Sequence, residues 1–153
     1  MHIRKATIDD APDAFEIRNL AILSQCKGHY SDDILTKWTD GELPTEFAHA
    51  FAKYGFVSEI ENKVVGVGML DVDNGMVDAI FVRPESFGKG LGKRMLKHLE
   101  AQARRVNCKE LRLDATLNAA AFYRSCGFEG HNQSVWHSPR GIDLACIPMV
   151  KVL

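Results

Sequence analysis

The spacing of apolar and polar residues predicts helices in the first third of the chain. Residues 2–8 alternate as a strand does, and the run Asp9-Asp10-Ala11-Pro12 then predicts a helix that ends near Cys26. Further helices are predicted at 31–38, where a Ser cap precedes two Asp residues, and at 44–54. The first helix is expected to pack through one face that holds Ile17, Leu20, Ala21 and Ser24.

Short apolar runs rich in β-branched residues begin after Gly55 and predict strands. The runs 56–60, 64–72 and 76–82 are separated by polar turns and predict three antiparallel strands. Asn74-Gly75 lies in the second turn and predicts a tight hairpin, because both residues tolerate the positive φ of such turns. Pro84 ends the third strand, since proline cannot donate to a ladder.

The remaining residues alternate between helical and extended patterns. Apolar residues at helical spacing predict a long helix at 90–106. A strand at 110–115, a helix at 118–126 and strands at 128–137 and 142–150 follow. Together these elements predict a single α/β (α+β) domain over residues 1–153, with a mixed, mostly antiparallel, twisted sheet of six to seven strands flanked by about four helices.

Composition and charge narrow the classes of function. The 153 residues include 19 Lys and Arg and 20 Asp and Glu, so a formal net charge of -1 offers no broad attraction to nucleic acid or anionic lipid. No signal-peptide stretch opens the chain, and no run approaches the roughly 20 apolar residues of a membrane span. We therefore expect a cytoplasmic protein with no nucleic-acid and no membrane partner.

The cysteines lack the spacing that zinc ligands favour, so we expect reduced thiols and no metal site. They are Cys26, Cys108, Cys126 and Cys146.

A glycine-rich loop at 84–92 connects the third predicted strand to the longest helix. Glycines let backbone N-H groups converge, and a helix start adds unpaired donors, so this loop predicts an anion site that suits a pyrophosphate. A Walker loop is excluded because Phe87 stands at the position of its first Gly and Arg94 at the position of its Ser or Thr. A dinucleotide fingerprint that starts at Gly88 or Gly90 is excluded because its third glycine would fall at Lys93 or Met95. A tight connection without a ligand is the alternative.

Two ordered motifs resemble the GNAT superfamily of acetyl-CoA-dependent N-acetyltransferases. The first is Val82-Arg83-Pro84 followed by Gly88-Lys89-Gly90-Leu91-Gly92-Lys93, and the second is the block 113–128, with Asn118, Phe122-Tyr123 and Gly127-Phe128. The resemblance implies a GNAT-like fold and direct transfer of an acetyl group, in a ternary complex, from acetyl-CoA to a primary amine of a small molecule or peptide. No metal is implied.

The same resemblance implies a cofactor site. Its residues are Ile80, Phe81 and Val82 on the strand, Phe87, Gly88, Lys89, Gly90, Leu91, Gly92 and Lys93 in the loop, and Asn118, Phe122 and Tyr123. Phe87 departs from the family, which usually has Arg or Gln there. We expect the Phe87 backbone N-H still to contribute to binding. Asn118 is also a good helix cap.

Tyr123 and Asp78 are the candidate catalytic residues. Tyr123 matches the position that often acts as general acid, although an aromatic pair with Phe122 could equally pack the last helix. The family's usual Glu is replaced by Met76, and Asp78, expected on the same strand face as Met76, Ile80 and Val82, is the candidate base. The alternative for Asp78 is a solvent-facing side chain.

His29, Tyr30 and Trp38 lie where the family builds its acceptor pocket, which makes them candidate substrate contacts or packing residues. Two alternative functions are left open. One is a non-catalytic acyl-CoA-binding regulatory module, because the residues at 76 and 87 depart from the family's pattern. The other is a transferase for a longer acyl group. The acceptor and the oligomeric state, a homodimer included, are left open.

Overall fold

A computed structural model describes all residues of the chain, 1–153, and contains seven strands and five α-helices. In chain order these are β1 (His2–Lys5), α1 (Ala11–Gln25), α2 (Asp32–Thr39), α3 (Thr45–Tyr54), β2 (Gly55–Ile60), β3 (Lys63–Asp71), β4 (Met76–Val82), α4 (Leu91–Arg105), β5 (Glu110–Thr116), α5 (Ala120–Ser125), β6 (Ser134–His137) and β7 (Asp143–Val152). Short 3-10 helices precede α1 and follow β4, at Ile8–Asp10 and Pro84–Ser86.

The strands form one sheet in the order β1-β2-β3-β4-β5-β7-β6. All neighbouring pairs are antiparallel except β4 and β5, which run parallel and share a single aligned pair, Met76 and Arg112. The predicted sheet, mostly antiparallel with six to seven strands, is therefore confirmed, and a helix is present at each of the five predicted positions. The sheet consists of two halves that touch near the start of β4.

Helices cover both faces of the sheet. On one face α4 buries Leu91, Met95, Leu99 and Ala103, the apolar residues whose helical spacing predicted it. Each buried Leu or Met of this kind stabilises the fold by about 1.5–3 kcal/mol. On the other face α1 and α3 pack a second cluster against β2 and β3, which fixes α1 above the middle of the sheet.

The packing face of α1 differs from the predicted one. Ile17 and Ala21 are buried as expected, but Leu20 is 40% exposed and Ser24 is exposed. The buried face of α1 instead includes Ala14, three residues before Ile17, because residues at this spacing lie on the side of the helix that faces the sheet.

Both predicted hairpins are present, but only the turn at Glu61-Asn62 is tight, and the turn that contains Asn74-Gly75 is longer than predicted. Glu61 and Asn62 both have positive φ, 52° and 65°, and directly connect β2 to β3. The β3–β4 connection takes four residues, 72–75, and only Gly75 has positive φ there. The Asp71 carboxylate accepts from the Asp73 N-H at 3.0 Å, which stabilises the longer turn.

The strand predicted at 128–137 is shorter than expected. Only Ser134–His137 pairs continuously with β7, and Glu129 makes an isolated bridge to Val150. At Gly130 an added Cβ would lie 2.2 Å from the Pro148 carbonyl oxygen, so the chain crosses β7 too closely for a regular ladder. All four cysteines are free. No helix combines the length and apolar character needed to span a membrane.

Candidate active site

A cavity of about 980 Å³ opens where β4 and β5 diverge beyond Met76 and Arg112. Its walls are β4, the loop before α4, the start of α5, the inner side of α1, and the loop between β6 and β7. Both sequence motifs therefore border one space. No group of three or more His, Cys, Asp or Glu side chains is arranged to hold a metal ion.

Asp78 is the extra residue of a β-bulge on β4. Leu70 of β3 is aligned with Val77, and Met69 is aligned with Ala79, so Asp78 has no partner between them. The bulge reverses the alternation: Val77 and Ile80 pack toward α4, whereas Ala79 packs toward α1. Continuous alternation along β4, on which the predicted common face of Met76, Asp78, Ile80 and Val82 depended, is therefore wrong, because Val77 and Ile80 lie on the same face.

Asp78 is one of the residues that line the cavity, and it is exposed. Desolvation by the surrounding protein, together with the negative charge of Asp71, raises its pKa to about 6. Asp78 is consequently ionised at neutral pH but remains much more basic than an ordinary aspartate. A carboxylate of this basicity is suited to accept a proton near pH 7.

The backbone of β4 beyond the bulge has a free edge toward the cavity. The Arg83 N-H donates to the Val65 carbonyl of β3 at 2.8 Å, and successive peptide groups point to opposite sides of a strand. The peptide groups of Val82 and Ile80 therefore face the gap. The buried Arg83 side chain donates to the Val64 carbonyl at 2.8 Å and to Glu16 at 2.6 Å, which fixes the end of β4 against α1.

The glycine loop presents unpaired backbone donors at the same end of the cavity. Gly88 and Gly90 have positive φ, 80° and 75°, and nothing lies within 4 Å of a Cβ built on either. The N-H groups of residues 88–93 make no backbone hydrogen bond. They meet the N-terminus of α4, where the helix dipole favours an anion.

Phe87 and Lys89 of the glycine loop differ from the expected arrangement. The Phe87 N-H donates to the Pro84 carbonyl at 3.2 Å, so the expectation that this N-H is available to a ligand is wrong. The short 3-10 helix before Phe87 uses that donor to close its own turn. Lys89 is exposed and lies outside the cavity, whereas Lys93 lines it.

Tyr123 lies on α5 between two aromatic rings. Phe122 and Phe128 contact it edge-on, with centroids 5.2 and 5.7 Å away, and Phe122 also lies 3.5 Å from a Cβ built on Gly92. Tyr123 is buried, lines the cavity, and has a pKa raised above the ordinary value by that burial and, to a smaller extent, by Cys126. The phenol is therefore protonated and available as a donor.

Asn118 lines the cavity but does not cap a helix. The N-cap of α5 is Ala119, without a side-chain bond, and the Asn118 amide oxygen instead accepts from the Cys26 thiol at 3.3 Å. Burial raises the pKa of Cys26 to about 11, which keeps this thiol protonated as the donor. The cap prediction failed because the helix starts two residues later than expected.

The three candidate substrate contacts have different positions. Tyr30 and Trp38 line the cavity and contact each other edge-on, with centroids 5.5 Å apart. The Tyr30 hydroxyl donates to the Ala145 carbonyl at 2.5 Å and accepts from the Leu117 N-H at 3.1 Å, so it joins α1's C-terminal side to β7 and to the end of β5. His29 is exposed and outside the cavity.

Sequence reasoning missed two arginines on the cavity wall, Arg18 and Arg140. Arg18 lies on α1, and Arg140 lies in the loop between β6 and β7. No motif marks either residue.

The model of the acetyltransferase (GNAT) family matches residues 11–128. Aminoglycoside N(6')-acetyltransferase type 1 of Stenotrophomonas maltophilia is 29% identical over 100 residues, which make up 63% of this chain and 59% of that protein. The chain thus covers less than two thirds of that relative's length.

Two solved structures share the fold. A GCN5-related N-acetyltransferase from Rhodopseudomonas palustris has a TM-score of 0.90 at 22% identity, over 99% of this chain and 95% of that one. The yncA protein of Salmonella typhimurium, solved with its cofactor acetyl-CoA, has a TM-score of 0.66 at 26% identity, over 100% and 94%. Because the family model matches more than half of the chain, the protein belongs to the GNAT acetyltransferase family.

Proposed function

We propose that the protein transfers an acetyl group from acetyl-CoA to a primary amine while both are bound. The observation that carries this proposal is the meeting, in one cavity, of a free strand edge, an unpaired glycine loop and the Asp78 carboxylate. Family membership supplies the reaction class. A small-molecule or peptide amine is the acceptor class.

The cavity fits coenzyme A in three respects. The N-H groups of residues 88–93 suit the pyrophosphate, and Lys93 adds positive charge beside them. The outward peptide groups of Ile80 and Val82 suit an extended amide-containing arm, which would pair with β4 as a neighbouring strand does. The yncA structure, with acetyl-CoA bound on the same fold, supports this assignment.

Acetyl-CoA supplies the acetyl group as a thioester, which a neutral amine attacks directly. Amines are mostly protonated at neutral pH, so the chain must remove a proton. Asp78, with a pKa of about 6, is the base that accepts it, directly or through water. The replacement of the family's usual Glu by Met76 thus leaves a carboxylate two residues further along the same strand.

Tyr123 acts on the departing sulfur. An alkyl thiol titrates near pH 8.5, below an ordinary phenol at about 10, so a tyrosine with a raised pKa does not give up its proton completely. The Tyr123 hydroxyl instead stabilises the thiolate as a hydrogen-bond donor. Phe122 and Phe128 hold the ring in place for this role.

The test is a thiol-release assay with a panel of amines, run beside calorimetry of acetyl-CoA binding. Binding in the micromolar range and amine-dependent release of thiol are expected. Binding without release for any amine would favour the regulatory module instead, and absence of binding would exclude both. Competition assays with longer acyl-CoAs distinguish an acetyltransferase from a transferase for a longer acyl group, because the latter would bind the longer acyl-CoAs more tightly than acetyl-CoA.

A further inference from the structure

Arg18 and Arg140 come from distant parts of the chain and meet at the α1 side of the cavity. Both guanidinium groups contact the Phe15 ring, at 5.5 and 5.9 Å from its centroid. Both residues line the cavity. The Phe15 ring therefore holds two positive charges on the wall of one space.

Neither guanidinium has a carboxylate partner. Arg18 donates to the Asn19 amide oxygen at 2.5 Å and to the Trp38 carbonyl at 3.3 Å, and Arg140 donates to the Asp40 carbonyl. Arg4 and Arg83, in contrast, are paired with the acids Asp10 and Glu16. Arg18 and Arg140 are the two arginines on the cavity wall, and both lack a counter-charge.

This arrangement is electrostatically unfavourable until an anion joins it. Burial and, to a smaller extent, the nearby charge of Arg140 together lower the pKa of Arg18 to about 10, so Arg18 is still a cation at neutral pH and is repelled by Arg140. Of the acids on the cavity wall, Glu46, Asp78 and Asp114, none lies within 4.0 Å of either guanidinium. An external anion would remove the repulsion and satisfy the unused N-H donors.

We infer that the acetyl acceptor is an amine that also carries a carboxylate, and that Arg18 and Arg140 bind this carboxylate while the amine faces Asp78. The inference rests on the proposed acetyl transfer and adds the acceptor's chemical class. It predicts poor binding of polycations such as aminoglycosides, the class named in the relative from Stenotrophomonas maltophilia, because two fixed positive charges repel them.

The experiment compares amines that differ only in the carboxylate: an α-amino acid, its amide, and an aminoglycoside. Proteins for the comparison are wild type, Arg18→Gln, Arg140→Gln, and Arg105→Gln as a matched control on the exposed end of α4. Thiol release gives kcat and KM, and calorimetry in the presence of coenzyme A gives acceptor binding independently of turnover.

Wild type is expected to favour the amino acid over its amide by about 10- to 100-fold in kcat/KM, the range for hydrogen bonds to charged groups. Each cavity arginine variant should lose this preference through KM and keep its affinity for acetyl-CoA, while Arg105→Gln should behave as wild type.

Equal binding of the acid and the amide, or an equal loss for both in the arginine variants, would overturn the inference. Arginine-dependent binding of the amino acid without thiol release would retain the anion site but overturn the proposed transferase function.

Discussion

Gly75 accepts a hydrogen bond from Arg112 at the point where the two halves of the sheet meet. The Arg112 N-H lies 2.8 Å from the Gly75 carbonyl, beside the aligned pair of Met76 and Arg112. Everything beyond this point on β4 diverges from β5. The position at which the cavity opens is therefore determined by one aligned residue pair and one backbone hydrogen bond between β4 and β5.

Gly75→Ala should destabilise the fold by about 1–3 kcal/mol, the usual cost of forcing an extra carbon into a packed site. Gly75 has a φ of 65°, and a Cβ there would lie 2.8 Å from the Glu110 carbonyl oxygen. Urea unfolding measures the loss. Gly28→Ala is the matched control, because Gly28 also has positive φ but nothing within 4 Å, and an equal loss in both would contradict the prediction.

Gly90→Ala should weaken acetyl-CoA binding by about tenfold or more, since one backbone hydrogen bond to a charged group contributes roughly 1.5–3 kcal/mol. The left-handed backbone at Gly90, with a φ of 75°, directs the loop donors and leaves open space in front of them. Calorimetry measures the affinity. Gly28→Ala controls for the conformational cost, and unchanged affinity in Gly90→Ala would remove the loop from the binding site.

The pH dependence of kcat/KM should show an acidic limb near pH 6. Asp78 must be ionised to accept a proton, so activity rises as pH increases through its pKa of about 6 and then levels off until the amine itself titrates. Asp78→Asn should lower activity at pH 7 by about 100-fold, with partial recovery at high pH.

The matched variant for this limb is Asp71→Asn. The Asp71 charge helps to raise the pKa of Asp78, so its removal should move the acidic limb to lower pH without abolishing activity. A limb that stays at the same pH in both variants would mean that another group is the base.

Tyr123→Phe should lower kcat by about 10- to 100-fold, because only the hydrogen bond to the leaving sulfur is lost. The two neighbouring rings still hold the phenylalanine, so the affinity for acetyl-CoA should stay within about twofold. Single-turnover thiol release measures the chemical step. An unchanged rate would restrict Tyr123 to packing.

Tyr30→Phe should reduce stability by about 1–3 kcal/mol, the cost of leaving buried polar groups without partners. The Leu117 N-H and the Ala145 carbonyl would each lose the hydroxyl that now joins them. Thermal unfolding measures the change, and Trp38→Phe serves as a control that keeps both hydrogen bonds. A fully stable Tyr30→Phe with altered acceptor KM would instead indicate a direct substrate contact.

Helices and strands with strong periodicity were predictable from the sequence. The helically spaced residues Leu91, Met95, Leu99 and Ala103 of α4 are all buried as expected, and most elements begin and end within two residues of the prediction. These elements are predictable because the spacing of apolar residues within one helix or strand shows which of its sides faces the core, without knowledge of its neighbours. The motifs around Gly90 and Tyr123 likewise identified two walls of the cavity.

Features that depend on pairing between distant strands were not predictable. The bulge at Asp78 follows from the register with Met69 and Leu70, which alternation within β4 alone cannot reveal. Arg18 and Arg140 meet only because α1 and the β6–β7 loop lie across the same cavity. Turn residues were also ambiguous, since an Asp71 side chain outweighed the preference of Asn74-Gly75.

The two ends of the cavity differ in how substitutions can change them. At the loop end the donors are peptide N-H groups, which nearly any sequence retains as long as the glycines keep their conformation. At the α1 end the charges belong to two side chains, each removable by a single codon change. Substitutions in a protein with this fold can therefore change which acceptor it binds without changing the site for the acyl donor.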